Sequence, residues 1–487
     1  MLNEDDRALM RQVARYLEHV NAAQQDEARG ARTPLGDLIS EHLGSDAAQV
    51  PVVLEVIADH RLVDADIALD LISAETGGRL IGVSGGEQRL HNGLAELVNN
   101  PHVRFDVGPV DFAERATGPS SSRRVVAMGV RLISHAGQPI ALAQRAASPQ
   151  YGRPAATLEV MGADPDAVSS FLARLRGLMI EHSVLRGQVL SFTPTEFGRG
   201  DAGATFLSRP RVDSDDVILA EGVLDEIVQH VIGIGEHRDL LLAAGQHLKR
   251  GVLMYGPPGT GKTLTIRHLL TRSVDTTIVL LTGSSIRFIG AAAEIARAFT
   301  PSIVVLEDID LVAMERHSSP QPLLFEVLEA LDGLDGDADV AFLMTTNRIE
   351  VLERALAERP GRVDLAVEIP LPALPERDRL FRRYAHGLPY SEAALTAAAA
   401  QTEGVTGSFA KELMRRSVLI AASRSEEVGD EHLEAALADL MSGRSHLTRR
   451  MLGAEAEGEG GPDAGGGESF SPSVHVTGGW FAHHPHS

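Results

Sequence analysis

Cysteine is absent from the 487 residues, which excludes disulfides, thiolate-held zinc, iron–sulfur clusters and thiol catalysis. Aromatic residues are scarce at 4%, so the cores must be built from Leu, Ile, Val and Ala. Lysine occurs only at Lys249, Lys262 and Lys411; the remaining basic side chains are Arg, a bias that with abundant Ala and Gly looks like a GC-rich bacterial genome. Acidic residues outnumber basic ones, 67 to 45, and the formal net charge of −22 opposes nucleic acid and anionic lipid as partners. No run of about 18 apolar residues occurs anywhere. The opening Met1-Leu2-Asn3-Glu4-Asp5-Asp6 has neither the basic nor the apolar part of a signal peptide. These absences predict a cytoplasmic chain with no transmembrane segment.

What is present is an ordinary globular mixture, 44% hydrophobic and 23% charged. At roughly 150 residues per domain the length predicts about three domains. Residues 4–28 carry helical spacing at Leu9, Val13, Leu17 and Val20. Residues 51–119 alternate short apolar runs with turns and give no clear pattern. Arg124–Ser134 and Pro139–Arg145 read as two strands joined by a turn at 135–138, and Thr157–Met161 as a third. A helix is expected over Asp164–His182, with Asp164 as N-cap and Pro165 at the first helical position. Leu185–Phe192 returns to strand. Residues 1–200 are therefore expected to form an α+β N-terminal region, with 201–215 as a linker rich in Gly, Arg, Asp and Ser.

From 216 to 372 apolar strands alternate with helical patterns: Gly251–Tyr255, Thr277–Thr282, Ser302–Leu306, Val340–Thr345 and Leu365–Ile369. Such alternation predicts an α/β core with a parallel sheet. Residues 373–445 read as helix only. Residues 446–487 are Gly- and Glu-rich, a composition that predicts disorder. Their end, Trp480-Phe481-Ala482-His483-His484-Pro485-His486, is expected to be solvated. The sequence contains no His-Glu-x-x-His.

One segment carries specific chemistry. Gly256-Pro257-Pro258-Gly259-Thr260-Gly261-Lys262-Thr263 matches G-x-x-x-x-G-K-[ST], and it lies between the strand Val252-Leu253-Met254-Tyr255 and a helix beginning near Lys262. The glycines allow backbone N–H groups to turn inward around phosphate oxygens, and the helix N-terminus adds partial positive charge. Lys262 then reaches the β- and γ-phosphates of ATP, and the Thr263 hydroxyl becomes a ligand for Mg²⁺. A second strand, Ile303-Val304-Val305-Leu306, ends in Glu307-Asp308, with Asp310 beyond. One carboxylate at such a strand end suits the metal shell, and its neighbour can polarise an attacking water.

Together these residues resemble the AAA family of ATPases, over roughly residues 216–445. Leu331-Asp332-Gly333, Thr345-Thr346-Asn347-Arg348 and Arg359-Pro360-Gly361-Arg362 follow in the family's order. The resemblance implies a P-loop NTPase sheet with a C-terminal helical lid, in which the loop residues, Leu264 and Gly407 contact ATP. It implies that Asn347 orients the attacking water and that Arg359 and Arg362 act on a neighbouring subunit's nucleotide. One residue more than usual lies between Asn347 and Arg359. The order Glu307-Asp308 inverts the family's usual Asp-Glu and is similar to the branch of mitochondrial AAA translocases. Glu307 is accordingly assigned to the metal shell with Thr263, and Asp308 to the water. Arg287-Phe288-Ile289-Gly290 resembles the family's aromatic pore loop, which implies that Phe288 and Ile289 touch a polypeptide substrate.

The reading is an ATP-driven remodeller working as a homo-oligomer, a hexamer, with residues 1–200 recruiting a protein substrate or adaptor. Two other readings stand beside it. One is a regulatory scaffold that binds ATP and hydrolyses it slowly. The other is a P-loop ATPase acting on nucleic acid, which the net charge and the aromatic loop oppose.

Overall fold

The structure is a computed structural model that describes residues 32–194, 202–310, 326, 329, 337–350 and 363–442. In its N-terminal part the alternation read at 124–145 closes as a hairpin of β5 (Ser122–His135) and β6 (Gln138–Arg145). The turn residues Ala136 and Gly137 both have positive φ, at 50° and 79°, as a tight two-residue hairpin turn requires. The strands β1 (Val52–Ile57), β2 (Arg79–Val83), β3 (Val107–Gly108), β4 (Asp111–Ala116) and β7 (Ala156–Gly162) complete the sheet. Its order is β1-β7-β6-β5-β2-β3, with β4 also on β5, and every pairing is antiparallel.

Helices cover both faces. On one, α2 (Leu62–Thr76) and α3 (Pro165–Glu181) pack Leu69, Ile72, Phe171 and Leu175 against Ile133, Leu142 and Val160. On the other, α1 (Pro34–Leu43) packs Leu35 and Ile39 against Val130, Leu132 and Met161. α3 starts as its sequence predicts: Asp164 accepts from the N–H of Asp166, and Pro165 opens the first turn. α2 was illegible because its packed face carries two buried carboxylates. Asp66 accepts from Arg131, Gln144 and the N–H of Val126. Asp64 accepts from Arg61, Ser183 and the N–H of Val184. Burial pushes the Asp64 carboxyl above its usual range, and Arg61 opposes that shift.

The second sheet has the order β14-β10-β13-β12-β11-β8-β9. Its five strands β10 (Arg250–Tyr255), β11 (Thr277–Thr282), β12 (Ser302–Glu307), β13 (Val340–Thr346) and β14 (Leu365–Glu368) are parallel, matching the α/β expectation. The expected domain boundaries need correction. β8 (Val189–Pro194) and β9 (Ala202–Leu207) belong to this sheet, so neither the border at 200 nor the linker at 201–215 holds. The physical reason is the outer edge of β11, whose backbone groups β8 pairs in parallel from Val189↔Ile278 to Ser191↔Leu280. Leu190 and Phe192 enter the same core as Val279, Leu281 and Phe342. Beyond β9, Arg209 donates to the carbonyls of Gly187, Leu270, Ser273 and Thr276, fixing the stretch that composition marked as linker.

The two sheets meet through aromatic and cationic contacts around α5 (Ile289–Ala298). His60 meets Phe192 edge-on at 5.8 Å between centroids, and Phe192 lies 5.8 Å from Phe288, just before α5. At the other end of α5 the Arg61 guanidinium sits 5.2 Å from the Phe299 ring and that of Arg186 at 5.6 Å.

The C-terminal part is helical, as its periodicity predicts: α6 (Leu374–Tyr384), α7 (Glu392–Ala400), α8 (Gly407–Arg424) and α9 (Asp430–Met441), around Phe381, Phe409, Leu413 and Leu440. The helix expected over 4–28 and the tail at 446–487 lie outside the described residues. Among the described residues no helix is long and apolar enough to cross a membrane.

Candidate nucleotide site

The loop between β10 and α4 (Lys262–Arg272) turns on residues that tolerate positive φ. Gly256 has φ 140°, and a Cβ there would lie 2.2 Å from the carbonyl oxygen of Ile369. Gly259 has φ 79°, and a Cβ would meet the Ser408 hydroxyl of the lid at 2.8 Å. Both positions therefore require glycine for conformation and for space. Thr260 closes the loop by donating from Oγ1 to the carbonyl of Pro257 at 2.9 Å.

Lys262 is only 6% exposed. Its Nζ donates to the carbonyls of Gly256 at 2.6 Å and Pro257 at 2.7 Å. Burial lowers its pKa to about 8, and the carboxylates of Asp308 and Asp310 oppose that shift. The ammonium thus lies inside the loop, facing two acids.

Glu307 ends β12, close enough to the Thr263 side chain for that hydroxyl to favour its ionised carboxylate. Burial and the neighbouring Asp308 push its carboxyl above the ordinary range, while Arg267 and Thr263 pull it back. A divalent cation fits this set: a hydroxyl and a carboxylate are hard oxygen donors side by side, in a place where negative charge is already disfavoured. Thr263 and Glu307 are the residues that would hold Mg²⁺.

Asp308 takes a left-handed conformation, φ 53°, which Asp tolerates better than most side chains. Its N–H donates to Thr345 Oγ1 at 3.0 Å, and its Oδ1 accepts from Asn347 Nδ2 at 3.0 Å. Asp310 accepts from Thr346 Oγ1 at 3.0 Å and from the N–H of Asn347 at 3.2 Å, which fixes the end of β13. The structure therefore brings Lys262, Thr263, Glu307, Asp308 and Asn347 together from three adjacent strand ends.

A cavity of about 510 Å³ opens over this cluster. Loop residues 258–264 form its floor, with Asp308, Thr345 and Asn347 on one side. Gly407 lines the opposite side, where Thr406 caps α8 by accepting from the N–H of Phe409. Sequence reasoning missed much of the remaining wall, including residues 216–220, Tyr384 and Lys411. Asp216 is ion-paired with Arg383, so the segment before β10 grips the lid across the cavity. The rarity of lysine, which drew attention to Lys262, marks Lys411 equally.

Other expected site residues fall elsewhere. Arg359, Arg362 and the Leu331-Asp332-Gly333 element lie outside the described residues. The pore-loop expectation is corrected: Phe288 is 8% exposed and Ile289 1%, both within the core of the second sheet. The turn at Gly283–Phe288 is closed by Ser285, whose Oγ donates to the Thr282 carbonyl at 2.9 Å, and Phe288 is drawn against Phe192 of β8. Sequence alone could not supply that partner strand.

Comparison with known proteins agrees with this geometry. Residues 252–371 match the model of the ATPase family associated with various cellular activities (AAA). The chain is 30% identical over 275 residues to the ATP-dependent zinc metalloprotease FtsH 3 of Symbiobacterium thermophilum, covering 53% of this chain and 44% of that protein. It is 30% identical over 273 residues to FtsH 1 of Thermomicrobium roseum, covering 52% and 41%. With the proteasome-activating nucleotidase of Thermococcus onnurineus it shares 27% identity over 280 residues, 54% of this chain and 70% of that one. The match spans less than half the length of both metalloproteases.

Proposed function

The chain carries an ATPase module of the AAA family, and from that premise we propose that it hydrolyses ATP with Mg²⁺ and uses the turnover, in a ring of identical subunits, to remodel a protein substrate. The observation that carries the proposal is the convergence of Lys262, Asp308 and Asn347 on one cavity large enough for a nucleotide.

In this mechanism the loop N–H groups and Lys262 hold the β- and γ-phosphates. Thr263 and Glu307 would hold Mg²⁺, which would supply charge neutralisation on the phosphate oxygens. Asp308 accepts a proton from the attacking water, and Asn347 keeps the Asp308 carboxylate turned toward it through the bond at 3.0 Å. Closure of the lid follows from its two contacts with the site, Gly407 beside the loop and Arg383 on Asp216. Arg359 and Arg362 complete the site of the adjacent subunit, where guanidinium charge meets charge spreading over the transferred phosphoryl group.

Relatives named as a protease ATPase and a proteasome-activating nucleotidase support a protein substrate. The sequence contains no His-Glu-x-x-His, the zinc-binding motif of such metalloproteases. A hexameric ring and a cytoplasmic site of action belong to the same reading. The test is ATP turnover by the purified chain with and without an unfolded protein, against Lys262→Ala. Turnover that is equal in the two chains would overturn the proposal.

A further inference from the structure

The N-terminal sheet has two unlike edges. Opposite β1 lie β3 and β4; β4 carries Asp111, Glu114 and Arg115, of which Asp111 pairs with Arg89 and Arg115 with Asp59. Charged side chains of this kind are the usual protection of a sheet edge against stray pairing. β1 is built otherwise. Its sequence is Val52-Val53-Leu54-Glu55-Val56-Ile57, with no Lys, no Pro and no register break against β7. Its one charge, Glu55, is held in a two-pronged pair by Arg176 of α3.

Among the described residues no strand pairs with the outer edge of β1. Strand alternation puts Val52, Leu54 and Val56 on the face of α1, and Val53, Glu55 and Ile57 on the face of α2 and α3. Val52 packs against the core under α1, and Ile57 lies within the core under α2 and α3. The middle of the strand lacks such cover: Leu54 is 57% exposed, Val56 62% and Val53 40%. Outward backbone groups and exposed apolar side chains on both faces thus coincide over a few residues.

We infer that the outer edge of β1 is a docking site for an extended apolar segment of a partner protein, which adds to the sheet as a further strand. The chemistry selects the occupant. A row of outward N–H and C=O groups is satisfied by another strand and not by a helix, whose backbone groups are paired internally. Apolar residues at alternate positions of the segment would cover Leu54 and Val56, and the net charge of −22 favours a neutral or basic segment over an acidic one. The inference rests on the remodeller reading in taking the partner to be its protein substrate or adaptor.

The test uses the full chain and a labelled peptide of roughly ten residues, alternating Val and Thr with Lys at both ends. Its control is the same peptide with Pro at its centre, which cannot complete the ladder. Fluorescence anisotropy should show binding of the first peptide only. Hydrogen exchange of amides within residues 52–57 should slow when it is bound. Leu54→Lys with Val56→Lys, both at exposed positions, should weaken binding at least about tenfold while basal ATP turnover is unchanged. Equal affinity of the variant, equal binding of the Pro peptide, or protection confined to other residues would each overturn the inference. So would sedimentation showing that the variant loses self-association, because the edge would then belong to a second copy. Peptide protection at 52–57 in a chain without ATP turnover would leave the docking site standing and remove the remodeller reading instead.

Discussion

Asn347 donates from Nδ2 to Oδ1 of Asp308 at 3.0 Å, so the residue after β13 and the residue after β12 face each other across one hydrogen bond. An amide at position 308 would still accept that N–H through its own oxygen. It would also keep the left-handed backbone at φ 53°, which Asn adopts as readily as Asp. Asp308→Asn therefore isolates the loss of proton acceptance. ATP affinity should stay within a factor of about two, while turnover falls roughly 10²- to 10⁴-fold. Glu307→Gln should instead weaken Mg²⁺-dependent nucleotide binding. Calorimetry and steady-state turnover on both variants check the assignment, and exchanged phenotypes would reverse the two roles.

Lys262→Ala removes the ammonium held inside the phosphate loop. Charge-assisted hydrogen bonds of this kind contribute about 2–3 kcal/mol, so ATP affinity should fall roughly 30- to 150-fold. Melting temperature should change little, since among the described residues the hydrogen bonds of Lys262 go to carbonyls of its own loop. Titration calorimetry with ATP measures the first and thermal melting the second. Unchanged affinity would dismiss the phosphate-loop assignment.

Arg362→Ala and Lys262→Ala subunits should each be inactive alone and recover activity when mixed. In the proposed ring each complete site would draw Lys262 from one subunit and Arg362 from the next. The measurement is turnover across mixing ratios in rings verified to contain both variants. A flat response would argue that Arg362 does not act across an interface.

Phe288→Ala discriminates between a core aromatic and one that grips substrate. Phe288 is packed against Phe192 within the core shared by β8, β11 and α5. Truncation should cost about 3–5 kcal/mol of stability, with a clear drop in melting temperature. A variant that melts as the parent does but loses only substrate-stimulated turnover would restore the pore-loop role.

The phosphate loop was legible because its chemistry is local: one strand, one turn and one helix lie within 23 consecutive residues, 250–272. The hairpin at 122–145 and the helix from Pro165 were legible for the same reason, each carrying its own turn or cap signal. α2 was hidden because Asp64 and Asp66 occupy its buried face, where periodicity expects apolar residues. The membership of β8 could not be read, since its partner β11 lies almost 90 residues away and a strand does not announce which sheet it joins. Phe288 was misjudged on the same account, as its neighbour Phe192 sits on that strand. Residues 216–220 and Tyr384 line the cavity from segments far apart in the chain, which no single stretch of sequence encodes.

The contacts at both ends of α5 bear on how the molecule comes apart. His60 reaches Phe288 through Phe192, Arg61 covers Phe299, and β8 and β9 complete the second sheet. A chain trimmed to begin at residue 216 would lose two strands and bare the apolar side chains that Leu190 and Phe192 cover. Neither half then has a boundary at which it could melt alone. Heat should unfold the sheet of β1–β7 and the sheet of β8–β14 in one calorimetric transition, so that a force applied to one is borne by the other.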